Sequence, residues 1–320
     1  MNNPFRPLFR NAHLATIVSS YWPRQIDEVK YPVEAKLFRP EPDVQVLIHR
    51  QQPAGEPVGD VILVHGLEGS SDSPYMRSMA QTLLDAGFAT HRMNIRTCGG
   101  TEFLCNTFYH AGLTTDIFAY LMDLDRRRRT PAWLIGYSLG GNMVLKLAGE
   151  MEDDALRVLA GVCAVSAPVD LKACTERLDK TSNWLYQWHF LRSMRRRLKL
   201  RRQVLEGTLR NLGQKFRSVY DFDDKVTGPA FGFRDADHYY ETQSAGRFTH
   251  RIRVPTLVIA AEDDPLIPPH VYDPLSQNPY IDVRLTEHGG HIGFLARKGY
   301  RHWVDEAVRD WMLARLAAPQ

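Results

Sequence analysis

Gly136-Tyr137-Ser138-Leu139-Gly140 sets a serine between two glycines. A serine in this pattern can act as a nucleophile when a strand leads into the turn and a helix leads out of it. Both flanks fit. The β-rich Trp133-Leu134-Ile135 precedes it, and Gly140 to Glu150 follows as a helix with Met143, Val144, Leu147 and Ala148 on its buried face. The turn strains the backbone at the serine, and side chains at 136 and 140 would collide with neighbouring elements. Ser138 then stands at a helix N-terminus, where free N–H groups and the helix dipole favour developing negative charge. The chemistry expected is attack on a carbonyl carbon through a covalent intermediate. The alternative is a glycine-rich turn that happens to contain serine. The strand–turn–helix setting favours the nucleophile.

Such a nucleophile needs a base, an acid and donors for the oxyanion. When serine occupies this kind of turn, acid and histidine follow it along the chain. Thr256 to Ala261 reads as a β-branched strand running into Glu262-Asp263-Asp264-Pro265. Asp264 is the expected acid because Pro265 fixes the turn directly after it. Asp263 is the runner-up and Asp170 a weaker third; both aspartates at 263 and 264 could also merely shape the turn. Thr286-Glu287-His288-Gly289-Gly290-His291 ends the last strand in a glycine-rich loop. His291 is the expected base and His288 the alternative. The two histidines could also be metal ligands, but no further ligand cluster accompanies them, so no metal is expected. One oxyanion donor is expected from the Leu139 N–H. The second is expected from Leu67, in His65-Gly66-Leu67-Glu68-Gly69 after the Asp60–Val64 strand. That loop could instead cradle phosphate, but no G-K-[S/T] follows. His65 suits an orienting role within the loop.

The elements that must hold these residues alternate between strand and helix, which implies a mostly parallel sheet. Residues 36–50 read as an antiparallel entry pair. Strands are expected over Phe88–Ile95 and Val158–Ser166, and one from Ile281 to Thr286. Helices are expected from Pro74 to Gly87, from Ala111 to Arg128 and from His302 to Leu316. Residues 168–250 break the alternation and are too long for a simple connection. They read as a helical cap inserted into a core made of 1–167 and 251–320.

Composition agrees with one large globular chain. Of 320 residues, 44% are hydrophobic and 24% charged, so a sizeable core is available. The net charge of +3 argues against a nucleic-acid partner. Cys98, Cys105, Cys163 and Cys174 form no C-x-x-C pair, and four are too few for a disulfide scaffold; reduced thiols and a cytoplasmic setting are expected. Neither a signal peptide nor a membrane-spanning run is read from the sequence. Trp184, Tyr186, Trp188 and Phe190, with Tyr239 and Tyr240, could line an acyl pocket or form the cap's own core. Arg192, Arg195, Arg196, Arg197, Lys199, Arg201 and Arg202 make one basic run. It reads as a solvated helix face or, with the aromatics before it, as a peripheral contact with an anionic membrane. The basic residues 126–129 suit a helix C-terminus.

The chain resembles the YheT-like branch of the α/β hydrolases, whose eukaryotic relatives include membrane-associated phospholipases and esterases. The resemblance rests on Phe9-Arg10-Asn11-Ala12-His13-Leu14-Ala15-Thr16-Ile17, on His65 to Gly69, on Gly136 to Asn142, on Asp263-Asp264-Pro265 and on Glu287 to Phe294. It implies the α/β-hydrolase fold, a Ser138–Asp264–His291 triad and hydrolysis of carboxylic esters. Relatives usually carry glycine at the position of Thr97. The expected substrate is a short- to medium-chain or lipid ester, cleaved without metal or organic cofactor. An acyltransferase using the same acyl-enzyme and a non-catalytic binding protein of this fold are the alternatives.

Overall fold

The computed structural model describes residues 4–128, 130–202 and 215–317. Position 129 of the 126–129 run and positions 203–214 of the expected cap lie outside the described residues.

The strands are β1 (Glu34–Glu41), β2 (Val44–Gln51), β3 (Asp60–Val64), β4 (Ala89–Met93), β5 (Ala132–Tyr137), β6 (Leu159–Val165), β7 (Thr256–Ala261) and β8 (Ile281–Thr286). They form one sheet in the order β1-β2-β4-β3-β5-β6-β7-β8. β1–β2 and β2–β4 pair antiparallel, and every other neighbour is parallel. The central strands are apolar on both faces because both faces are covered. Ile62 and Val64 of β3 enter one core, while Val61 and Leu63 enter the other.

The helices are α1 (Ala12–Tyr21), α2 (Pro74–Asp85), α3 (Thr115–Arg128), α4 (Leu139–Met151), α5 (Ala155–Val158), α6 (Leu171–Leu178), α7 (Trp184–Leu200), α8 (Val219–Phe222), α9 (Gly228–Phe231), α10 (Ala236–Gln243) and α11 (Trp303–Leu316). α2 and α11 cover one face, where Trp311 meets Trp133 edge-on at 5.6 Å between centroids. α3 and α4 cover the other face, and α6 to α10 all fall between β6 and β7. Among the described residues no helix is long and apolar enough to cross a membrane. The four cysteines are unpaired, and three are buried.

Two expectations change. α3 begins at Thr115 rather than Ala111. The backbone before it is taken by distant partners: Ala111 N donates to Tyr239 Oη, and Asn142 Nδ2 donates to Ala111 O. The basic run is also not a uniformly solvated face. Arg201 is fully buried and donates to the carbonyls of Cys105 and Thr107, at 2.5 and 2.9 Å. Arg197 is mostly covered and pairs with Glu68, whereas Arg192, Arg195, Arg196 and Lys199 stay exposed. α1 was not anticipated as a helix, although Asn11 caps it by accepting from Leu14 N at 3.0 Å.

Candidate active site

Ser138 follows β5 directly and has φ +49° and ψ −121°. This backbone is unfavourable for any L-residue and costs on the order of 1–3 kcal/mol. Its surroundings hold it there. Ser138 N donates to Val165 O at 2.9 Å. A Cβ on Gly136 would lie 2.2 Å from Gly140 O, and one on Gly140 would lie 2.4 Å from Val64 O. Only glycine lets the strand, the turn and α4 approach this closely.

The parallel strands deliver the other residues to the same sheet edge. Ser138 Oγ lies 2.9 Å from His291 Nε2, and His291 Nδ1 lies 2.8 Å from Asp264 Oδ2. A carboxylate only accepts, so Nδ1 carries the proton and Nε2 accepts from the serine hydroxyl. Asp264 is almost fully enclosed, and its Oδ1 accepts from Leu266 N at 2.8 Å and Ile267 N at 3.1 Å. Its neighbour turns elsewhere. Asp263 Oδ1 accepts from Gly290 N at 2.8 Å, and Oδ2 lies 3.2 Å from His288 Nδ1. Asp170 caps α6 instead, accepting from Ala173 N at 3.0 Å. Among the described residues no group of three or more His, Cys, Asp or Glu side chains is arranged to hold a metal ion.

The 65–69 loop packs on this elbow; a Cβ on Gly66 would be 3.1 Å from Ser138 Cβ. Gly66 N donates to Tyr75 Oη at 3.0 Å, and Glu68 N donates to Tyr109 Oη at 3.1 Å. Among the described residues the intervening Leu67 N–H has no acceptor. The Leu139 N–H opens α4, where helix donors have no intrahelical partner. His65 accepts from Ile95 N at 3.0 Å through Nε2, and its Nδ1 lies 2.7 Å from Gly66 O. Complete burial pushes its pKa down to about 4, so it is a neutral ring that fixes the loop.

Several supporting residues escaped sequence reasoning. Thr16 Oγ1, on α1, accepts from His291 N at 2.8 Å. Ser166 Oγ accepts from Ile292 N at 3.2 Å. Arg177 Nη2 donates to Asp264 O at 2.8 Å, and Asn183 Nδ2 donates to Pro265 O at 2.7 Å. The Asn11 cap ahead of Ala12, Ala15 and Thr16 was the signal for α1. Nothing local marked Arg177 or Asn183.

Two cavities meet at Ser138 and His291. The first, of about 140 Å³, is walled by apolar side chains that include Phe108, Leu171, Phe190, Met194, Phe222 and Leu266. The second, of about 370 Å³, runs between α1, the 65–69 loop and the start of α7. The aromatics of α7 divide between them. Phe190 faces both, while Tyr186 and Trp188 line only the second. Trp184 lines neither and is 65% exposed. Tyr239 and Tyr240 line the first cavity.

A serine on a strained strand-to-helix turn, hydrogen-bonded to a histidine, on a mostly parallel sheet with helices between β6 and β7, defines a hydrolase-type protein. The chain belongs to the α/β-hydrolase family, in its YheT-like branch. A family model described as alpha/beta hydrolase fold matches residues 60–297. YheT of Escherichia coli (strain K12) is 34% identical over 318 residues, which is 97% of this chain and 92% of that protein. The monoacylglycerol lipase of Saccharomyces cerevisiae is 29% identical over 265 residues; the match covers 78% of this chain and 57% of the lipase. The esterase Pf2001 of Pyrococcus furiosus superimposes with a TM-score of 0.61 at 15% identity, over 92% of this chain and 98% of that one, a likeness of fold.

Proposed function

We propose that this protein is a carboxylic-ester hydrolase that works through Ser138, His291 and Asp264. The observation that carries the reading is the unbroken Asp264–His291–Ser138 chain, at 2.8 and 2.9 Å, on a strained turn where two cavities meet. His291 Nε2 takes the Ser138 proton as Oγ bonds to the ester carbonyl carbon. The Leu67 and Leu139 N–H groups receive the oxyanion. The ester C–O bond then breaks, His291 returns the proton to the departing alcohol, and an acyl-serine remains. Water attacks it, giving a proton to His291, and the carboxylic acid leaves as that proton returns to Ser138. Asp264 holds the imidazole in the required tautomer throughout.

Residues 168–250 form the cap of this reading, over a core of 1–167 and 251–320. Cap residues Leu171, Phe190, Met194 and Phe222 supply much of the first cavity's wall, which suits an acyl chain. An apolar cavity of about 150 Å³ holds a benzene-sized guest. The first cavity, at about 140 Å³, therefore fits an acyl chain of roughly six carbons, within the short- to medium-chain range. A fluorophosphonate probe tests the reading. Folded wild-type protein becomes labelled and S138A does not; absence of label on the wild type refutes it. An ester panel graded by acyl length then locates the optimum.

A further inference from the structure

The second cavity carries a charge that the proposed chemistry does not use. Arg24, just after α1, lines it together with Ser19, Ser20, Ser73 and Tyr75. The residue is 7% exposed, and its Nε and Nη1 are buried without a hydrogen-bond partner. Among the described residues it makes no ion pair. Asp305 attracts it from beyond ion-pair distance, as do Tyr137, Tyr300 and Tyr75; the Oδ2 of that carboxylate accepts from Ser78 Oγ, while its Oδ1 is also buried without a partner among the described residues. A buried guanidinium is costly when unpaired. Its planar, forked donors match two oxygens of a carboxylate or phosphate.

We propose that Arg24 binds an anionic oxyacid group, a phosphate monoester or a carboxylate, on the alcohol half of the ester. The inference rests on the hydrolase reading of Ser138 and deepens it. The two cavities that share Ser138 differ in the chemistry they accept. The first is walled mainly by apolar side chains, and the guanidinium of Arg197 on its lining is already held by Glu68, so an anion there would lose its water without meeting a free cation among the described residues. The second is larger and is lined by serine and tyrosine hydroxyls and by Arg24; the carboxylate on its wall, Glu68, is already paired with Arg197. An acyl chain in the first leaves the alcohol half in the second, on the Arg24 side of the oxyanion loop.

Three esters of one acyl chain test this: 1-hexanoylglycerol, 1-hexanoylglycerol 3-phosphate and the hexanoyl ester of glycolate. Wild-type kcat/KM is expected to favour one or both anionic esters over the neutral one by about tenfold or more, the value of one good charge-assisted contact. The phosphate and carboxylate arms tell the two groups apart. In R24Q the anionic-to-neutral ratio falls by about tenfold, chiefly through KM, and R24K, which keeps the charge without the fork, lies between. Glycerol 3-phosphate and inorganic phosphate are tested as competitive inhibitors of wild-type hydrolysis of 1-hexanoylglycerol. Inhibition by glycerol 3-phosphate exceeding that by inorganic phosphate supports a phosphate recognised as part of the substrate, and equal inhibition supports a general oxyanion site. The wild-type assays decide the matter even if R24Q does not fold. No anionic preference together with no inhibition overturns the proposal, as does a preference that survives in folded R24Q, where Arg24 would be linked to Tyr137, His302 and Asp305 through water. Hydrolysis of the neutral ester alone defeats only the Arg24 assignment. Failure to cleave any ester, with Ser138 unlabelled, defeats the hydrolase reading beneath it.

Discussion

Arg197 Nη2, on α7, lies 3.0 Å from Glu68 Oε2, one residue beyond Leu67 in the loop that packs on Ser138. The Glu68 carboxylate also accepts from Ser193 Oγ at 2.6 Å and Tyr109 Oη at 3.0 Å. The pair is nearly closed to solvent, with side chains 11% and 7% exposed. Removing one partner of such a pair leaves a buried charge and costs about 3–5 kcal/mol. The pair ties α7 to the 65–69 loop, so in the proposed mechanism Arg197 would act as a positioning residue for the Leu67 N–H.

R197M should lower kcat by about 10- to 100-fold, less than the 10²–10³-fold cost of deleting an oxyanion donor outright. KM for a small ester should stay near the wild-type value, and R197K should recover part of kcat. Steady-state kinetics alongside thermal melts make the test. A lower Tm with unchanged kcat would reduce the pair to a structural tie.

Asp264 and Asp263 should separate cleanly. D264N leaves His291 without its carboxylate and allows the wrong tautomer, so kcat should fall by about 10⁴-fold. D263N disturbs only the contacts to His288 and Gly290 and should cost about tenfold or less, through a looser histidine loop. Ester hydrolysis by the two purified variants decides this. Loss confined to D263N would reverse the assignment of the acid.

How much could be read in advance depended on how local the cause was. The Ser138 turn is written in five adjacent residues and their flanking periodicities, so its strand and helix were legible. Asp263 and Asp264 could be placed in one turn, but their divergence is set by backbone donors at 266, 267 and 290 that sequence cannot orient. The α3 start was misjudged because Tyr239 and Asn142 reach it from 128 and 31 residues away. The basic run held a signal that charge counting passed over. Leu191, Met194, Leu198 and Arg201 recur at helical spacing, and all four are buried. An arginine on an apolar stripe is one that finds carbonyls inside, as Arg201 does.

Thr97 offers a measure of backbone strain. It has φ +64°, is fully buried, and its Oγ1 accepts from Arg197 Nη1 at 2.7 Å. A β-branched residue in the left-handed region costs about 1–2 kcal/mol. T97A keeps that strain and loses the acceptor, whereas T97G loses both. Glycine gives back about 0.4–1 kcal/mol through the unfolded chain. T97G should therefore be more stable than T97A by up to about 1 kcal/mol, and both less stable than wild type. Urea denaturation ranks them. T97A more stable than T97G would mean that the strain at position 97 is smaller than glycine's cost in the unfolded chain.

Asp223 should make stability fall as pH rises. Its side chain sits in the π-helical turn Asp223–Thr227 beside the first cavity. Oδ1 accepts from Thr227 Oγ1 at 2.6 Å and Oδ2 from Tyr240 Oη at 2.7 Å. Burial nonetheless dominates and pushes the carboxyl up from 3.8 to about 6. A raised carboxyl pKa means that the folded state holds the proton more tightly than the unfolded state. The folded state is therefore favoured below pH 3.8, loses ground up to about pH 6 and levels off above it. The shift corresponds to about 3 kcal/mol. D223N carries no titrating group there, so the stability of wild type relative to D223N should decline by that order between pH 4 and pH 7. Denaturant titrations at stepped pH measure the difference directly, because contributions from other ionising groups cancel between the two proteins. Parallel curves would show that the Thr227 and Tyr240 hydroxyls hold the carboxylate as well as water does, and that this end of the cavity tolerates a charge.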